Sequence, residues 1–297
     1  MLKIAPSGAI LCATVTGVDL HEPLSQADFA VMLRALGTYG VLCFPKQLIG
    51  AAAQKRFSER FGPLQVLSSS TTFEPGIPEV TLLSNIKKNG NAIGKADAGQ
   101  FWHTDATYND VVGFANVLVA HKVPHRNGKP LGDTEFVNTQ AAYEDLPAEL
   151  KSQLANATAM HDFNNNWRRM AEKGSRPPLT EAQIREHPPV WHPVFLTHPI
   201  TRRKVIYVNP AHVVKIEGMS ADDSQRTLDT LFAHLLQPQY RYTHHWTLGD
   251  LLLWDHLGTW HNAVADYGPD EHRLMKRCQI MADFVFDPAF MQSALSA

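Results

Sequence analysis

Two stretches far apart in the chain carry residue types that converge on one kind of chemistry. Trp102-His103-Thr104-Asp105 sets a histidine and a carboxylate two positions apart, and residues 251–277 (LLLWDHLGTWHNAVADYGPDEHRLMKR) lead an apolar strand to a histidine followed by two arginines. In an extended segment residues i and i+2 leave the same face, so His103 and Asp105 can share one ligand. A second histidine completes a two-His-one-carboxylate facial triad, the set that holds Fe(II) in non-heme oxygenases and leaves metal positions open. An arginine nearby suits a cosubstrate with a carboxylate tail.

Alone, the His103/Asp105 pair is weak evidence. With 15 His and 17 Asp in 297 residues, chance supplies about one His-x-Asp, and a hydrogen-bonded surface pair is the bland reading. Trp102 and Tyr108 on either side offer apolar walls. The third ligand has four candidates, His244, His245, His256 and His261, and periodicity does not choose among them. His261 is preferred because Arg273 and Arg277 follow it by 12 and 16 residues, a distance that one turn and a returning strand cover. An arginine pair at i and i+4 reads equally as a solvated face. In a strand, both project to one side, which could be the inside of a barrel, where a buried charge needs a carboxylate partner.

The elements around these residues read as follows. Residues 9–20 are rich in β-branched side chains and suggest a strand. Ser25-Gln26-Ala27-Asp28 is a capping-box pattern opening a helix whose Phe29, Met32, Leu33 and Leu36 share one face, with Gly40 as its stop. Residues 41–44 read as a buried strand, and 51–61 as a helix stopped by Gly62-Pro63. Signals weaken over 65–99, which reads as a long mobile connection, and lid-like segments are expected near 65–100 and 163–189. Short strands are expected at 117–120 and 134–137, with a largely helical 141–155 despite Pro147. Further strands are expected at 190–197, 204–208, 240–246, 250–254 and 278–286. Ser220 caps a helix bearing Leu228, Leu231, Phe232 and Leu235. Strands outnumber helices and the helices cluster early, so the expectation is one sheet-based, mainly β, α+β domain over 1–297.

Composition sets the bounds. A chain 44% hydrophobic and 19% charged is ordinary for a globular enzyme. A net charge of -2 gives no field to recruit nucleic acid or an anionic membrane. Three scattered cysteines, Cys12, Cys43 and Cys278, without CxxC spacing suggest neither a disulfide framework nor a zinc ribbon. The first twenty residues hold no apolar run long enough for a signal or a span, so a cytoplasmic protein is expected.

The chain also resembles a known family over nearly its whole length, the taurine and 2,4-dichlorophenoxyacetate dioxygenases (TauD/TfdA). The marks are Thr16-Gly17-Val18-Asp19-Leu20, the FSERFG run at 57–62, Trp102-His103-Thr104-Asp105, Gly132-Asp133-Thr134-Glu135-Phe136, Thr197-His198-Pro199, and Trp254-Asp255 through Arg277. The resemblance implies a double-stranded β-helix (jelly-roll) core with flanking helices. It implies Fe(II) held by His103, Asp105 and His261, and 2-oxoglutarate held at its distal carboxylate by Thr134 and Arg273. Arg277 matches the arginine that meets the anionic end of the substrate. The implied reaction is hydroxylation of a small organic acid by O2, coupled to decarboxylation of 2-oxoglutarate to succinate and CO2, in a homo-oligomer. Asp105 argues against halogenation, since related halogenases lack the carboxylate ligand. The loop 63–68 holds no basic residue and Gly99 stands four before His103, which argues for a substrate other than taurine. Two other readings are a non-catalytic iron- or anion-binding protein of the same fold, and a zinc hydrolase, for which no HExxH motif is present.

Overall fold

The residues 113–122 (GFANVLVAHK) form a nearly uninterrupted apolar run, the pattern of a strand covered on both faces. The computed structural model describes residues 1–66, 72–172, 174 and 177–296, and in it Gly113–Lys122 is a central strand of an eight-stranded sheet. It pairs antiparallel with Leu251–Asp255 on one side and Leu274–Met281 on the other. Beyond these lie Val41–Phe44, Ala13–Thr16 and Lys3–Pro6 at one edge, and Ile77–Ser84 and Phe73–Glu74 at the other.

Alternation along the strands gives the sheet two apolar faces. Val117, Val119, Leu251, Leu253, Cys278 and Ile280 pack with Phe29, Leu33 and Leu36 of helix α1 (Gln26–Tyr39) and Phe57 of α2 (Ala51–Ser58). The other face turns Leu118, Leu252, Trp254 and Met275 toward Phe136 and Trp246. Phe136 belongs to a second sheet, in which Thr134–Asn138 lies between Arg241–His244 and Thr259–Ala263. The outer side of that sheet, including Val137 and Trp260, packs against Leu228, Leu231 and Leu235 of a later helix, Ala221–Leu235. Polar side chains sharing the parity of Leu118 and Phe136 therefore meet in one layer between two sheets.

Helix α1 has the expected ends: Ser25 accepts from Asp28 N–H at 3.1 Å, and Gly40 takes φ 67°. Several expectations need correction. The strand expected over 9–20 is confined to Ala13–Thr16, because Cys12 (φ 80°) and Gly17 (φ 77°) turn the chain on either side. The 65–99 stretch is not simply a connection: Ile77–Ser84 is a core strand paired with Leu274–Met281. Pro78 near its start hid a good strand-forming run, Val80-Thr81-Leu82-Leu83. The expected 141–155 helix is two, Thr139–Glu144 and Ala148–Leu154, separated at Pro147. Residues 163–189 contain helices Phe163–Glu172 and Glu181–Glu186. The last strand begins earlier than residue 278 and ends at Met281. Helices are not concentrated early, since six of the eight α-helices among the described residues follow residue 138. The coarse class is mixed helix and strand, and no helix among the described residues is long and apolar enough to cross a membrane.

Leu253 is fully buried where the sheet meets the helices. Truncating it (Leu253→Ala) should cost about 2–5 kcal/mol, read as a lower urea midpoint, while an unchanged midpoint would contradict this packing.

Candidate metal and cosubstrate site

The segment carrying His103 is stitched directly to the strand carrying His261. His103 N–H donates to His261 O at 3.1 Å and His261 N–H returns the bond to His103 O at 2.9 Å. Thr104 Oγ1 adds a bond to Thr259 O at 3.0 Å. With His103 and Asp105 on one face of this segment, His103 Nε2 stands 3.3 Å from Asp105 Oδ1, and His261 Nε2 lies 3.8 Å from Oδ2. Donor atoms of the three residues all lie within 4.8 Å of one another, a spacing one cation can bridge. His103 Nδ1 sits 2.7 Å from Phe101 O; donating there leaves Nε2 as the lone-pair atom, the tautomer a metal requires. Burial, with His103 beside it, holds the His261 imidazole well below its ordinary pKa and so neutral. The donor set fits a facial metal site.

The other candidate histidines separate. His245 is exposed and bonds Asp133 at 2.7 Å, and His244 lies near Asp250. His256 comes within 4.0 Å of Asp105 Oδ2, is 1% exposed and has no partner on either ring nitrogen. Burial pushes its pKa down to about 4.

Asp105 is the electrostatic centre. Arg277 Nη1 donates to its Oδ2 at 2.9 Å, and Asn116 Nδ2 donates to the same oxygen at 2.8 Å. Burial alone would raise the carboxyl; Arg277, His103 and His261 outweigh it and hold it well below the usual carboxylate range. Asn116 was not anticipated. Its signal is a single amide inside the apolar run GFANVLVA, at a position facing the layer between the sheets. Arg277 Nε is buried without a hydrogen-bond partner.

Around this centre, Tyr108 packs against Phe163 (centroids 4.9 Å apart) and His212 (4.7 Å), and burial lowers the His212 pKa to about 3. Trp102 instead joins the apolar cluster around Trp260. Gly99, at φ 72°, lies so close that a Cβ would stand 3.2 Å from His103 Cε1. The loop 63–68 leaves the described residues at 67.

Thr134 and Arg273 approach the layer from one end. Thr134 Oγ1 accepts from Trp246 Nε1 at 3.0 Å, and Arg273 Nη2 donates to Gly132 O at 3.2 Å. Arg273 is 6% exposed, with burial lowering its pKa, and no carboxylate among the described residues forms an ion pair with it. Gly132 takes φ 75°, and a Cβ there would stand 2.8 Å from Arg273 Nε.

The chain is similar to known proteins over nearly its whole length. Residues 3–279 match the family model described as taurine catabolism dioxygenase TauD, TfdA family. The chain is 30% identical to pentalenolactone F synthase of Streptomyces arenae, covering 97% of each chain. It is 28% identical to the alpha-ketoglutarate-dependent 2,4-dichlorophenoxyacetate dioxygenase of Cupriavidus pinatubonensis, over 94% of this chain and 98% of that one. The crystal structure of AAD-2 in complex with Mn(II) and N-oxalylglycine aligns with a TM-score of 0.78 at 26% identity, over 95% of this chain and 97% of that one. With its match running nearly from end to end, the chain belongs to the TauD/TfdA family of Fe(II)- and 2-oxoglutarate-dependent dioxygenases.

Proposed function

We propose that the protein hydroxylates a small organic anion at a centre formed by His103, Asp105 and His261. The observation that carries this reading is the convergence of those three donors within 4.8 Å, with Arg277 on the same carboxylate. Bound Fe(II) supplies the means of activating O2, with one oxygen atom entering the substrate and the other entering succinate as 2-oxoglutarate loses CO2. The chain's own contribution is positioning. Arg273 and Thr134 hold the distal carboxylate of 2-oxoglutarate, and the buried guanidinium thereby gains the anionic partner that the described residues do not provide. Arg277, with Nε unpaired, anchors the substrate's anionic group. Tyr108, Phe163 and His212 give its body an apolar and aromatic wall.

Carboxylates and sulfur oxyanions both suit Arg277. Relatives of this chain include an alkylsulfatase and (S)-phenoxypropionate and sulfate ester dioxygenases. The two facing sheets support a double-stranded β-helix core, and continuity of the buried layers supports a single domain.

Anaerobic addition of Fe(II) and 2-oxoglutarate should produce the visible charge-transfer band of a chelated 2-oxo acid, and iron binding without a band would refute the open facial site. His103→Ala or His261→Ala should abolish succinate formation. Each charge-assisted hydrogen bond contributes about 1.5–3 kcal/mol, so Arg273→Ala should raise the 2-oxoglutarate KM about tenfold or more. Arg277→Ala should act mainly on the KM of the organic substrate. Acid provides a third check. The folded pKa values of His212 and His256, about 3 and about 4, lie below the ordinary 6.5. The unfolded chain then binds the extra protons, so stability is fully present above about 6.5 and falls as pH drops toward 4. The Tm of metal-free protein should decline across that window, and a flat profile would contradict the neutral, buried histidines.

A further inference from the structure

A second group of metal-binding side chains lies away from Asp105. Cys43 sits in Val41–Phe44, His244 ends Arg241–His244, and Asp250 immediately precedes Leu251–Asp255. Pairing brings the three together: Cys43 lies opposite Leu252 in one sheet, and His244 lies opposite Thr134 in the other. One thiol sulfur, one imidazole nitrogen and one carboxylate oxygen all lie within 4.8 Å of one another. The residues are 8%, 7% and 5% exposed.

The ring of His244 is oriented for a ligand. Its Nδ1 faces the Tyr242 hydroxyl at 3.4 Å, while Nε2 stands 3.3 Å from Asp250 Oδ2 without making a hydrogen bond. A buried ring nitrogen left unpaired is costly, and a cation between Nε2 and the carboxylate removes that cost. Asp250 Oδ2 is itself fixed by Thr247 N–H at 2.9 Å. Supporting groups of this kind orient metal ligands.

We propose that Cys43, His244 and Asp250 form a second, structural metal site for a divalent cation of the zinc class. Sulfur, nitrogen and oxygen donors together suit a borderline-soft ion and not magnesium or calcium. Burial raises the Cys43 thiol pKa, so the free site holds a thiol. Binding releases that proton to solvent as the sulfur lone pair bonds the cation, with no change of oxidation state. The cation would tie the two sheets together beside the cosubstrate end of the layer. There the His244 ring lies 4.7 Å from that of Trp246, which donates to Thr134. The proposal does not depend on what the Asp105 centre catalyses.

Anaerobic titration of the full-length metal-free protein with Co(II) tests it. Two equivalents should bind, one of them with a near-ultraviolet sulfur-to-Co(II) charge-transfer band, which His103, Asp105 and His261 cannot give because they contain no sulfur. Cys43→Ser should lose that band and one equivalent. Asp250→Asn keeps an acceptor for Thr247 N–H and should bind the second equivalent at least tenfold more weakly. Zn(II) should raise the Tm of Asp250→Asn by less than that of the parent. Absence of the sulfur band in the parent, its survival in Cys43→Ser, or unchanged affinity in Asp250→Asn would each overturn the site; should Cys43→Ser not fold, the Asp250 variant decides.

Discussion

The reciprocal backbone hydrogen bonds between His103 and His261 are the constraint on which the rest of the centre depends. They join segments distant in sequence and set the separation of two imidazoles without using either ring. Once they form, Asp105, two residues beyond His103, reaches the same point, its Oδ1 3.3 Å from His103 Nε2. Thr104 reinforces the junction from the opposite side of its segment by bonding Thr259 O, in the same strand as His261. Side chains at the centre are thus free to bind, because backbone and flanking groups do the holding.

The same economy governs the layer between the sheets. Alternation sends one residue in two of each central strand toward the helices and the next toward the second sheet. The inner set contains nearly all the chemistry: Asn116 on the central strand, Arg277 on its neighbour and His261 on the facing strand. Such groups are expensive to bury singly. They are affordable as a set, with Arg277 and Asn116 both donating to Asp105. A consequence is that Asp105 stays ionised although buried, a condition for serving as an anionic ligand.

Parts of this were legible in the sequence because they depend on local geometry. The shared face of His103 and Asp105 follows from extended backbone alone, and the α1 helix followed from capping and spacing around Ser25 and Phe29. The choice of His261 over His256 did not follow, because it rests on cross-strand pairing with His103, which no local pattern encodes. His256 in fact lies nearby, in the turn between two strands, and only the register shows that His261 is the residue bonded to the His103 backbone. Ile77–Ser84 was missed for a related reason. Its flanks are polar and turn-rich, and what makes it a core strand is its pairing to Leu274–Met281. Asn116 carried a signal, a lone amide in an apolar run, whose meaning required knowing which face Asp105 approached.

The position of Arg277 links the two functions proposed for the centre. Its guanidinium binds the carboxylate assigned to the metal, yet its Nε remains unpaired. Planar and always charged, it can bond carboxylate oxygens from more than one edge. An anionic substrate engaging the free edge would share a cation with Asp105. The arginine would then report substrate occupancy to the metal ligand through one rigid group, with no need for a moving segment. Lysine could not do the same: its single ammonium would have to choose between the two anions or sit between them with poorer geometry. With Arg277 as the proposed anchor, the arrangement would favour substrates whose charge lies a fixed distance from the bond to be oxidised. That fixed distance, together with the aromatic wall of Tyr108 and Phe163, is where selectivity among organic anions would arise.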